Sequence, residues 1–198
     1  MAVATGVLAA ALLSVSMSGS LSAFIATINN TTNTAATGAL TMSEIRTDAG
    51  GTTCLSTDST ATCTSINKLG GATALAPGGS STVNITINNT GSVPANTFTL
   101  TPSACTQAAT GATPAGTATT LCANFTVVIT SGATTIFSGT AAALGASAPL
   151  DLKTLLGGTA IAPGATVPFK FVTTFASTAD ATFQNLRASV PLSWQFQS

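Results

Sequence analysis

Four cysteines, Cys54, Cys63, Cys105 and Cys122, are the residues whose type and spacing promise covalent chemistry. There is no CxxC pair and no histidine, so a zinc site lacks both its usual spacing and a common ligand. Four cysteines permit three pairings. Nearness along the chain selects Cys54–Cys63 and Cys105–Cys122. Each closed loop would stabilise the fold by roughly 3 kcal/mol on the chain-entropy model. The acidic residues Glu44, Asp48, Asp58, Asp151 and Asp180 fall in separate segments. No spacing among them makes a carboxylate pair for acid–base work, and they read as solvated loop charges. Without histidine, a HExxH metalloprotease and a Ser-His-Asp triad are excluded. The expectation is a protein that is not an enzyme, with no catalytic, cofactor-binding or metal residues and no small-molecule substrate.

Composition points the same way. Of 198 residues only 5% are charged, against a usual share of about a quarter. Lys+Arg and Asp+Glu are 5 each, for a net charge of +0. Five scattered basic residues cannot neutralise a run of phosphates, so no nucleic-acid partner is expected. Hydrophobic residues make up 45%, which argues against a disordered chain. The 39 threonines and 36 alanines leave a nearly neutral surface, poorly protected against self-association. That suits a subunit meant to assemble.

The elements that would position these residues are short strands between Gly and Pro turns. In Thr82–Asn88, Val83, Ile85 and Ile87 face one way and polar residues the other. The same alternation runs through Phe98 and Leu100, through Phe125, Val127 and Ile129, and through Val167, Phe169, Phe171 and Phe175, with Thr173 interrupting the last. In Ser189–Gln197, Val190, Leu192, Trp194 and Phe196 point inward, and Trp194 reads as core. A first strand is expected near Leu40 and Met42. Pro168 and Pro191 place their strands at sheet edges or mark strand starts. Only Pro149–Leu156 looks helical. The inward residues make the core of an all-β, jelly-roll-like antiparallel sandwich with one short helix. The sequons at Asn29, Asn30, Asn84, Asn88 and Asn124 arise readily in so Thr- and Asn-rich a chain. Asn84 and Asn88, on an outward strand face, are the candidate glycosylation sites.

Val3 to Leu21 is an uncharged apolar run. It reads as a secretory leader ending in small residues near Ser22-Ala23, or as a retained hydrophobic helix. The leader reading divides the chain into a leader (1–22), an N-terminal strand and linker (23–36) and a sandwich domain (37–198). Membrane contact is then transient, through the leader, and paired cysteines fit a secreted protein. Phe24, Ala26 and Ile28 would face one side of the N-terminal strand, with Ile25 and Thr27 on the other. A lone apolar strand on the polar tether Asn29–Thr34 needs a sheet edge.

The chain resembles the TasA/camelysin family of exported bacterial biofilm-matrix fibre proteins. The resemblance rests on ordered short motifs. Phe24-Ile25-Ala26 follows an apolar leader, and Gly38-Ala39-Leu40-Thr41-Met42-Ser43 opens the domain. Pro77-Gly78 precedes Val83–Ile87, which leads into Asn89-Thr90-Gly91-Ser92. Phe183-Gln184-Asn185-Leu186 and Leu192-Ser193-Trp194-Gln195 close the chain. The resemblance implies a jelly-roll sandwich, secretion and a homopolymer in which Phe24, Ile25, Ala26 and Ile28 of one subunit complete the sheet of the next, head to tail. The metalloprotease activity attributed to some members is not carried over, because the sequence holds no histidine. Two other functions fit the composition: a pilin-like filament subunit with a retained helix, and a Thr-rich surface-binding protein.

Overall fold

Alternation of branched apolar and polar residues builds the longest strands, as the sequence pattern predicts. The computed structural model describes residues 34–48, 50–58, 61–71 and 74–198. The leader and Phe24, Ile25, Ala26 and Ile28 lie outside the described residues. Within Gly38–Ser198, β3 (Ser80–Asn89) and β9 (Thr166–Phe175) pair antiparallel over nine positions, from Ser80↔Thr174 to Asn88↔Thr166. Around them lie β1 (Met42–Arg46), β2 (Thr53–Leu55), β6 (Phe125–Ser131) and β7 (Thr134–Thr140), in the six-stranded order β2-β1-β3-β9-β6-β7. Facing it is a sheet of three strands, β4 (Thr97–Pro102), β8 (Leu150–Asp151) and β11 (Leu192–Gln197), in the order β11-β4-β8. A two-stranded ribbon pairs β5 (Thr106–Ala109) with β10 (Leu186–Ser189). The fold is all-β and antiparallel.

The inward residues of both large sheets meet in one core. Val83, Ile85, Ile87, Phe169 and Phe171 from the larger sheet pack against Phe98 and Leu100 from the smaller. Phe98 meets Phe169 edge-on at 6.0 Å, and Trp194 lies 4.9 Å from Phe169. Asn89 is wholly buried within this apolar layer, and its amide is satisfied. Nδ2 donates to the Val93 and Ile161 carbonyls, and Oδ1 accepts from Gly91 N–H. It ties the end of β3 to two loops. Gly91 is held by a close approach: a Cβ there would collide with the Ala39 carbonyl.

Three differences from the sequence expectation have physical reasons. Among the described residues there are three short α-helices instead of one: α1 (Leu121–Asn124), α2 (Ala141–Gly145) and α3 (Leu152–Leu155), with a 3-10 turn at Ala181–Phe183. Each α-helix has only four or five residues, too few for a helical period to register. Helix α2 begins where Thr140 accepts from Ala143 N–H, and α3 where Asp151 accepts from Thr154 N–H. Second, Ser189–Gln197 is two strands. Pro191 separates β10, which pairs with β5, from β11, which pairs with β4. Third, Pro168 sits in an interior strand, but near its start. The β6 pairing begins only at Lys170, so no ladder N–H is missed at Pro168 on that side.

Thr173 does not interrupt the inward face of β9; it joins it. The residue is 3% exposed and its Oγ1 has no hydrogen-bond partner. An unsatisfied buried hydroxyl destabilises. Thr173→Val should therefore raise stability by about 1 kcal/mol, seen as a rise of roughly 2–4 °C in Tm. A loss of stability on thermal melting would contradict this reading.

Candidate functional site

Six strands face three, so both ends of the larger sheet need another cover. At the β6–β7 end the short helices supply it: α2 packs against both strands and α3 against β7. At the β1–β2 end the cover is a loop. The Cys54–Cys63 disulfide closes it, with Cα atoms 5.6 Å apart, and Ile66 anchors it in the core at 5% exposure. The second disulfide, Cys105–Cys122, ties the start of β5 to α1. The pairing expected from proximity is the pairing formed, and among the described residues no cysteine is free.

Between that loop and β11 runs a groove. Its larger section has a volume of about 540 Å³ and is lined by Met42, Glu44, Cys54, Leu69, Leu192 and Trp194, among others. A smaller section of about 170 Å³ continues along β11 past Gln195 and Phe196 to Leu40 and Thr41. Strand β11 forms the groove's long wall and, among the described residues, pairs on one side only, with β4. Leu192, Trp194 and Phe196 are half-buried and face inward, while Ser193, Gln195 and Gln197 are exposed. Among the described residues the buried Trp194 indole N–H has no hydrogen-bond partner. Buried donors without a partner are few in native proteins, which makes this one a feature of the groove wall. The sequence reads Trp194 as core, where the structure has it half-buried and packed against the core cluster. It does not show that the same ring also walls a groove.

Glu44 overturns the reading of the acids as solvated loop charges. It lies on β1 opposite Ile87, on the inward face, and is 7% exposed. Lys68 Nζ, from the disulfide-closed loop, approaches its Oε1 to 2.7 Å. The angle is outside hydrogen-bonding geometry, so the contact is an ion pair, not a directed bond. Both side chains are less than a tenth exposed. No sequence signal foretells this pair, because the partners are far apart along the chain. The other acids stay near the surface. Arg46 Nε lies 2.7 Å from Asp48 Oδ1. Burial pushes the Asp48 carboxyl up, but the Arg46 and Asn84 hydrogen bonds outweigh it and hold it below its ordinary value. Hydrogen bonds from the Thr154 hydroxyl and N–H lower Asp151, and those from Thr182 lower Asp180. These depressed carboxylates favour the fold above their ordinary values, and that contribution is lost as the pH falls through the lowered ones. Among the described residues no three His, Cys, Asp or Glu groups converge on a metal-sized site.

The remaining sites lie on the outward face of the larger sheet. Asn84 and Asn88 are on β3, between β1 and β9. Asn88 Nδ2 donates to Ser43 Oγ at 3.1 Å, so that amide is already engaged. Pairing brings four hydroxyls into one row, Ser80, Thr174, Thr126 and Thr140. The next row, Thr82, Val172, Val128 and Ser138, is broken by valines. A single row is not the repeated array that a Thr-based binding surface requires. No helix among the described residues is long and apolar enough to cross a membrane. No protein-family model matches the chain, and no curated protein matches it.

Removing one partner of a buried ion pair leaves the other charge uncompensated. Lys68→Met should therefore destabilise by about 3–5 kcal/mol, and Glu44→Met/Lys68→Met by much less. Denaturant titration of the three proteins checks this. A double variant as unstable as the single one would show that the pair is not what holds the loop.

Proposed function

We propose that this protein is a secreted structural subunit that polymerises head to tail into an extracellular fibre, pilus or biofilm matrix, with no enzymatic role. The sandwich is best described as a jelly roll lacking one strand, and the groove beside β11 is the vacancy. The observation that carries the reading is the unpaired edge of β11 lining a groove with an unpartnered indole N–H at its wall. An edge of this kind recruits a strand. The sequence offers one in Phe24, Ile25, Ala26 and Ile28, uncharged like the groove's apolar wall and carried on a polar tether. Insertion into a neighbour, repeated, gives an open filament instead of a closed dimer.

Three further features support this reading. Two disulfides suit an oxidising, extracellular compartment. A formal charge of +0 puts no repulsion between packed copies. The resemblance to the TasA/camelysin fibre proteins points to the same assembly. The leader, Val3 to Leu21, is the export signal and is cleaved near Ala23.

Deleting Phe24–Asn29 from the exported protein should leave a folded, disulfide-bonded monomer that forms no filaments. Electron microscopy and sedimentation of the two proteins side by side provide the check. Filaments of unchanged repeat from the truncated protein would refute donor-strand assembly.

A further inference from the structure

The backbone of β11 specifies how an inserted strand must lie. In an antiparallel pair, each residue aims its N–H and C=O to the same side, and neighbours alternate. The Pro191 carbonyl accepts from Ser103 N–H at 2.8 Å, and the Gln197 carbonyl from Asn96 N–H at 2.6 Å. The odd-numbered residues of β11 therefore face β4. The even-numbered ones, Leu192, Trp194 and Phe196, turn their N–H and C=O groups to the groove. Their side chains also point inward. The free edge thus presents three residues, each offering one donor and one acceptor.

Resting on the donor-strand reading, we infer that the N-terminal segment of a second copy inserts antiparallel to β11 in one register: Phe24 opposite Phe196, Ala26 opposite Trp194 and Ile28 opposite Leu192. Every strand pair in the domain is antiparallel, and an added antiparallel strand continues that ladder. A one-residue slip would turn Phe24, Ala26 and Ile28 out to solvent. A two-residue slip leaves one edge residue unpaired and sets Phe24 or Ile28 against Trp194. That ring is already packed by Phe98, Phe169 and Phe171 at centroid distances of 5.8, 4.9 and 6.4 Å. Pairing of all three edge residues, with the apolar face turned inward, thus sets the register.

This register places Thr27 opposite Ser193 and Ile25 opposite Gln195 on the solvent face. Both are non-hydrogen-bonded pairs, whose Cα atoms lie about 4.5 Å apart, within disulfide range. The test is cross-linking of assembled filaments, read on non-reducing gels. Thr27→Cys/Ser193→Cys and Ile25→Cys/Gln195→Cys should each give a ladder of covalent multimers. The shifted pairs Thr27→Cys/Gln195→Cys and Ile25→Cys/Ser193→Cys should stay monomeric. Mixing Thr27→Cys chains with Ser193→Cys chains should give a covalent dimer, which marks the link as between copies. Ladders from a shifted pair, a link within one chain, or filaments with no cross-link at any pair would overturn the register. Those outcomes differ from persistence of filaments after deletion of Phe24–Asn29, which would remove the donor-strand reading itself.

Discussion

An exposed strand edge whose other face belongs to the core is the constraint on which this structure turns. Strand β11 buries Leu192, Trp194 and Phe196 against the larger sheet, so it cannot swing away from the core. Its second row of backbone groups still needs partners. Proteins that must stay monomeric blunt such edges with charge, bulges or covering loops. Here the exposed side chains of the edge are Ser193, Gln195 and Gln197, none of them charged. The loop that could cover the edge is instead held back against β1.

Holding that loop back takes three kinds of interaction. The Cys54–Cys63 bond closes it, Ile66 buries an apolar anchor and Lys68 meets Glu44 across its base. In a chain with so few charges, placing one pair here is informative. A buried ion pair is a poor source of net stability compared with an apolar pair of similar volume. It does fix geometry, because the charges tolerate only one arrangement. The second disulfide and the Asn89 plug act elsewhere, tying loops to the ends of strands.

Much of the scaffold was legible in the sequence because β3, β4, β6 and β9 are strands with one buried face, and burial imposes a period of two. The disulfides were legible because short loops favour local pairing. Strand β7 and the short β2, β5 and β8 were not. Thr134–Thr140 carries only Ile136 as a fully buried residue, so its alternation is faint. The groove was hidden for a different reason. Trp194 reads as an inward residue whether or not the strand beside it is present, since a missing neighbour leaves no mark on the local pattern. Glu44 reads as a loop charge because a charge on an inward face is intelligible only once its distant partner, here Lys68, is known.

The most direct measurement of the central claim is site-resolved amide hydrogen exchange at Leu192, Trp194 and Phe196, in the monomer lacking Phe24–Asn29 and in the assembled fibre. The account has these three amides exchanging fast in the monomer, while those of Ser193 and Gln195, which bond to β4, are protected. In the fibre all five should be protected together. Fast exchange at Leu192, Trp194 and Phe196 in the fibre, or strong protection there in the truncated monomer, would contradict it.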